Sequence, residues 1–540
     1  MPDFQKKNGK MNCRTITLIV WLLSNTLAIT LEAQNTWSVV VSRRVADSLI
    51  ELHSFSYGRL NDTLIIFGGR NDGIHGKEKG FEKQGRNDHL IIYDIKLNKS
   101  SSIDLNTFSD SLKYPLTASA SEFIQEGKIL YLMGGYGQNA QGLYETYPSL
   151  TRIDLEQLIR RIKDKMPLAP AFSQSVNDSF AIAGGQMKKS GDQIYLVGGH
   201  RFDGRYSQDS KNYRQTYTER VYIFRFTERD SLPAWNIENV LTDELNFHRR
   251  DFNLAPFVTS AGIIEPVAFA GVFMMNDARP FRNISSIQVN GFTDIRDFNQ
   301  NLANYQCAHF GLYSSSQDLM QEFFLGGMAE YYLNPQGELV RDPLVPFVKT
   351  ISCVQRDKSG QYSEFALRDT MPLFMGSNSE FIPSSRIPFF NDEIIDADRL
   401  LEDTIHLGWV IGGIVNPASR LHPWQDSLPE TTIANPWISD IFLIRQYINS
   451  VHDKKIILPG TSVTCNPNPC RHFCNIALGQ EVESISIWLL DNSGRLHAFQ
   501  KFRNGNSFSL DTRTIPAGNY RLSYLVNGSQ YGSFLLQIGE

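Results

Sequence analysis

Nine side chains able to grip a polar ligand occupy related places in the chain. Arg70, Tyr136 and His200 each follow directly on a pair of glycines, and Arg201 and Arg205 come shortly after. The stretch FHRRDFNLAPF (247–257) sets His248, Arg249, Arg250 and Asp251 side by side. A guanidinium presents a planar fork of donors that can clamp a carboxylate or phosphate through two parallel hydrogen bonds. Arginine and aspartate also tie neighbouring repeats together, and that structural role is the favoured one for most of this set. His53 and His309 fall in segments of strand character from which they could reach a central channel, although a lone histidine there more often packs than binds. No nucleophile elbow, P-loop, H-E-x-x-H or EF-hand loop occurs, so no catalytic residue, metal site or cofactor is assigned.

The elements that must position these residues are written around the glycines. Apolar runs end in Gly68-Gly69 (TLIIFGGR), Gly134-Gly135 (ILYLMGGY), Gly198-Gly199 (QIYLVGGH), Gly326-Gly327 (EFFLGGM) and Gly412-Gly413 (GWVIGGI), and a degenerate sixth copy, PVAFAGVF, keeps Gly271. Each copy reads as a polar turn, a short apolar run, the glycines and a hydrophilic loop. A further strand-like segment then follows: NDHLIIYDI (87–95), PSLTRIDL (148–155), TERVYIFRF (218–226), RNISSIQV (282–289), PFVKTISCV (346–354) and SDIFLIRQY (439–447). Upstream segments such as LHSFSYGRL (52–60), SFAIAGGQM (179–187) and YQCAHFGLY (305–313) also read as strands. β-branched and aromatic content at these lengths favours strands over helices. Six small antiparallel sheets cannot each bury both faces alone, so they must stack, and radial stacking closes them into a propeller. Glycine pairs are then required where blades converge, because a Cβ would block the close approach of backbones.

This pattern resembles the kelch repeat over roughly residues 36–447, with downstream aromatics at Tyr93 and Tyr222 and outer-strand tryptophans at Trp235 and Trp37. The successive second glycines stand 56 to 86 residues apart, against about 50 in the usual repeat, so several loops carry insertions. Trp37 precedes the first glycine pair while the sixth unit has no outer strand of its own. Residues 36–43 are therefore expected to complete the last blade and close the ring. A copper-radical oxidase of the galactose oxidase type shares this propeller, but Cys307 and His309 stand two apart on one strand with no second histidine assignable, which argues against that chemistry.

Composition agrees with a turn-rich β protein: of 540 residues, 41% are hydrophobic and 11% aromatic, with 39 glycines. A formal net charge of -5 argues against a generic nucleic-acid partner. Residues 1–34 read as a signal peptide, with basic residues before the apolar run 15–31 and Ala33 near the cleavage point. Met11 is a second possible start, and a retained N-terminal anchor is the rival reading. No later run reaches the length of a membrane-spanning helix. Without Cys13 the mature chain has five cysteines. Three of them, Cys465, Cys470 and Cys474, crowd together without zinc spacing, which leaves a disulfide among them open.

After a linker at 448–463, residues 464–540 alternate strands with DNSG, PAG and NGS turns and read as a small β-sandwich. Asn468-Pro469, Asp491 and Gly494 in DNSGR, and Pro516, Gly518 and Tyr520 in IPAGNYRLSY resemble the type A sorting domain of type IX secretion cargo in Bacteroidota. The resemblance implies export by the Sec route, the type IX machinery as partner, and a secreted or outer-membrane surface location. The expected architecture is thus all-β: a six-bladed kelch-like propeller (35–447) followed by a small sandwich. The expected role is a binding scaffold for a glycan or protein ligand. A sugar isomerase resembling the sialic-acid mutarotases is the alternative on the same propeller.

Overall fold

Each apolar run that precedes a glycine pair forms the second strand of a sheet built on four antiparallel strands, and six such sheets follow one another along the chain; Ile394–Asp396 adds a parallel fifth strand to the fifth, and Ile433–Ala434 pairs with Thr404–Asn416 in the sixth. The computed structural model describes residues 37–539 apart from 75–80, 207–212, 276, 278, 335–337, 418–431, 446–463, 492–495 and 527–529. The signal-peptide segment, both candidate starts, the linker at 448–463 and Gly494 lie outside the described residues. Blades 1 to 6 run over 56–104, 122–176, 186–242, 253–294, 309–370 and 374–445. The protein is a six-bladed, kelch-like β-propeller with a small β-domain at its C-terminal end.

The fourth strand of blade 6 comes from the other end of the chain. Trp37–Val45 pairs antiparallel with Trp437–Arg445, in unbroken register from Trp37 opposite Arg445 to Val45 opposite Trp437. Ring closure is as expected, with the strand two residues longer at its end. The aromatic signature also falls where expected, Tyr93 and Tyr222 on third strands and Trp235 on an outer one. The three inner strands read from sequence begin later than expected, at Ser56, Gln186 and His309, and the shift is largest in the third blade. In SFAIAGGQM, Asp178–Phe180 form a 3-10 turn capped by Asn177, and the strand starts at Gln186.

The glycine pairs have a common physical cause. The second glycine of each unit donates its N–H to a carbonyl of the next blade: Gly69 to Ala118, Gly135 to Ile182, Gly199 to Arg249, Gly271 to Asn304, Gly327 to Met375 and Gly413 to Leu52, all between 2.8 and 3.0 Å. The last of these joins blade 6 to blade 1. The same carbonyls sit where a Cβ on the first glycine would be, 2.0 Å away at Gly68 and 1.9 Å at Gly134. Both first glycines have positive φ. Six stitches of this kind hold neighbouring blades together at one end of the ring.

A second run of backbone bonds passes around the axis beside them. Ala120 donates to Ser54, Gly184 to Ala120, Asp251 to Gly184, Gln306 to Asp251 and Asn378 to Gln306, at 2.8–3.1 Å. These residues enter the inner strands of blades 1 to 6 in order, and the chain of bonds forms a neck between two cavities.

In the C-terminal domain, two long strands, Phe473–Asp491 and Leu496–Asp511, pair with each other, and Gly518–Val526 and Gln530–Ile538 extend the sheet. Register breaks between Ala477 and Val482 bend the long strands, so that Ile476, Ile487, Leu510, Leu522 and Leu536 share one core. Cys465 is bonded to Cys474, while Cys470 is a buried free thiol.

Candidate functional site

The residue after each glycine pair is fixed by backbone pairing with the entrance to its own blade, as in His53 with Arg70, Ser119 with Tyr136, Ala183 with His200 and Arg250 with Val272. Six such positions therefore meet around the axis, and they are not alike. Arg70, Tyr136 and His200 come from blades 1 to 3, whereas Val272, Met328 and Ile414 come from blades 4 to 6. All but Val272 line a cavity of about 130 Å3 at one mouth of the propeller. One side of the mouth is polar. The other joins Val272, Met328, Ile414, Phe347 and Tyr305 in an apolar cluster.

On the polar side each arginine already holds a carboxylate. Arg70 donates through Nε and Nη2 to Asp72 at 2.9 and 2.5 Å, and Nη2 also donates to the Glu82 carbonyl at 2.8 Å. Burial pushes the Asp72 carboxyl up, but His53, whose Nε2 stands 3.6 Å away, and the hydrogen bonds from Arg70 outweigh it and hold the group well below the usual carboxylate range. Arg250 donates to Asp251 at 2.7 Å and approaches the Tyr217 hydroxyl at 3.3 Å. Burial, reinforced by the charge of Arg250, drops His200 well below the usual histidine range, so its ring is neutral at physiological pH. The Tyr305 hydroxyl is buried and has no hydrogen-bond partner among the described residues. Phe81, Phe202 and Tyr206 wall the pocket together with Tyr136, whose own hydroxyl donates to the Gly204 carbonyl at 2.7 Å.

Of the nine residues singled out from sequence, Arg70, Tyr136, His200, Arg250 and Asp251 converge on this pocket. The other four are engaged elsewhere. Arg201 pairs with Asp203 at 2.9 Å, Arg205 with Glu82, and His248 with Glu219 at 2.7 Å while stacking on Tyr217. Arg249 is fully buried, donating to the carbonyls of Asn246 and Ala270 at 2.6 and 2.8 Å, with its guanidinium over the Phe281 ring. It is a structural tie inside the ring. Gln215 and Tyr305 line the mouth and were not singled out for it, and His53, expected to reach the channel but more often to pack there, lines it as well. Tyr305 could have been found by aligning the copies on their glycine pairs, since its place at the entrance to blade 5 matches that of Arg250 in blade 4.

Beyond the neck lies a cavity of about 840 Å3 lined by the inner strands. Ser54, Ala120, Gly184 and Asn378 line both spaces. His309 reaches this second cavity, with Nδ1 at 2.6 Å from Glu322, and Lys188 meets Glu393 at 2.5 Å. Cys307 is buried in the same wall, and no group of three metal-ligating side chains occurs among the described residues.

In the C-terminal domain the motif residues hold the last strand. Asn468 donates to the Leu535 carbonyl at 3.0 Å and accepts from the Gln537 N–H at 2.9 Å, and Tyr520 donates to the Pro516 carbonyl at 2.6 Å. Asp491 pairs with His497 at 2.9 Å, and Gly518 opens the strand before Tyr520.

No family model matches the chain, and no curated protein shows significant similarity to it. Among solved structures the chain is similar to one titled "Structure of YjhT", at 10% identity and a TM-score of 0.37, over 71% of this chain and 97% of that one.

Proposed function

We propose that this protein is an exported propeller that binds the end of a glycan in the axial mouth. The polarised ring of residues after the glycine pairs carries this reading. Two arginine–carboxylate pairs, a neutral imidazole and an unpartnered tyrosine hydroxyl face an apolar wall. The arginines are already compensated, so a bare anion gains little from them. Sugar hydroxyls donate to a carboxylate and accept from a guanidinium at once, and the C–H face of the ring suits the apolar side.

The test is a glycan array followed by titration calorimetry on the full chain, with acidic and neutral sugars compared. Arg250→Gln should weaken binding by about ten- to a hundredfold, the range for losing a hydrogen bond from a charged donor. Arg201→Ala, outside the pocket lining, should leave it unchanged. Absence of saturable binding, or equal loss in both variants, removes the reading. Polarimetry on the bound sugar separates the two classes: accelerated anomer exchange places the chain among the isomerases, and an unchanged rate keeps it a binder.

The C-terminal domain serves as the export address. The resemblance of its motif to type IX sorting domains supports this, and so does the fixing of the terminal strand by Asn468. In a host with that secretion route, the chain without residues 464–540 should remain in the periplasm while the full chain reaches the surface or medium. Export of the truncated chain would rule the address out.

A further inference from the structure

The cavity beyond the neck is unlike the mouth in its charge balance. Its cations are matched one by one. Lys188 pairs with Glu393, and His309 with Glu322. Lys189 turns to Glu126 at 2.7 Å, and Arg59 donates to the Pro383 carbonyl at 2.6 Å and approaches Asp62 at 3.8 Å. Of the lining carboxyls that are not exposed, Glu122 and Glu380 are left without a cation in hydrogen-bond contact. Glu122 accepts one hydrogen bond, from the Gly185 N–H at 2.7 Å, and Glu380 accepts from Gln306 at 3.4 Å. A third oxygen, Glu322 Oε2, is buried with no hydrogen-bond partner on a side chain that is 1% exposed. Gly311 stands beside it, where a Cβ would come within 2.8 Å of Oε2.

A buried carboxylate without a cation is costly, and the protein has placed acceptors in excess around a large cavity. The acceptors come from the inner strands of blades 2 and 6 and the second strand of blade 5. They do not cluster into a set that one metal ion could join. An extended cation with charges at separated points matches that spread. The lining also carries Phe123, Met187, Phe310 and Phe381, which suit a methylene chain. We propose that this cavity is a second ligand site, taking an aliphatic diamine or polyamine. Its ammonium groups bind at Glu122, Glu380 and Glu322, and its chain lies along the apolar wall.

Titration calorimetry of the full chain with 1,5-diaminopentane and spermidine tests this, with 1,5-pentanediol as the uncharged match. Burial raises Glu122 to about 8 and Glu380 to about 7, so pH 8.5 ionises both while the amines stay charged. Glu380 is faced there by His309, Lys188 and Tyr57, and Glu122 by Asp251. Saturable binding of the amines is expected, at least tenfold tighter than any binding of the diol. Glu122→Gln combined with Glu380→Gln should reduce it at least tenfold, and Arg201→Ala, outside the lining of both cavities, should leave it intact. No saturable amine binding, equal binding of the diol, or full affinity in the double variant overturns the proposal. The comparison of amine with diol needs no variant and stands even if the double substitution fails to fold.

Discussion

Gly134→Ala is expected to destabilise the propeller by about 3–5 kcal/mol, the sum of a strained backbone and a broken buried hydrogen bond. The added Cβ would lie 1.9 Å from the Ile182 carbonyl oxygen, a backbone atom that cannot step aside without moving the entrance to blade 3. That oxygen also receives the Gly135 N–H at 2.8 Å, so relieving the clash opens the stitch between blades 2 and 3. Gly127 is the control. It shares the positive φ, at 59°, but nothing lies within 4 Å of its missing Cβ, so Gly127→Ala should cost only the left-handed backbone penalty of about 1–2 kcal/mol. Urea unfolding of the two variants separates the causes. Equal losses would mean that the glycine pairs serve backbone conformation alone, and that the inter-blade approach of carbonyls is not what demands them.

This distinction explains which parts of the molecule could be read from sequence. The glycine pairs were legible because one local need recurs six times, and repetition makes a weak signal strong. The third strands were legible for the same reason. The entrance to blade 3 was misplaced because Ala181–Gly185 looks like a strand but must turn through the neck, where Gly184 bonds to Ala120. Within the site, Arg70, Tyr136 and His200 stood out since their place follows directly from the glycines. Arg249 and Arg250 are neighbours of one type, yet the first is sealed inside the ring and the second faces the mouth. That choice depends on which way successive side chains point at a backbone bridge, and composition is silent on it. Glu122, Glu322 and Glu380 were harder still, because stretches far apart in the chain meet only once the ring has closed.

Closure itself should be the more costly feature to break. The strand Trp37–Val45 is the far end of the chain from its partner Trp437–Arg445, and it brings Trp37, Val39 and Val41 into the core shared by blades 5 and 6. Val39 has no exposed surface and sits opposite Leu443. Val39→Asp would bury a carboxylate without a partner, at a cost of about 3–5 kcal/mol. Val45→Asp at the end of the same strand, where the side chain is 61% exposed, should stay within about 0.5 kcal/mol of the parent. Deleting residues 37–45 goes further. It leaves nine residues of Trp437–Arg445 as an open edge and exposes the apolar face beneath, so the ring loses the contact that makes its ends interdependent. The expected result is loss of a single cooperative transition, with amide exchange rising first in Trp437–Arg445 and then in Thr404–Asn416, the strand it pairs with. A deletion variant that still melts in one transition, with Trp437–Arg445 protected, would mean that the ring is held by its six glycine stitches and not by its final strand.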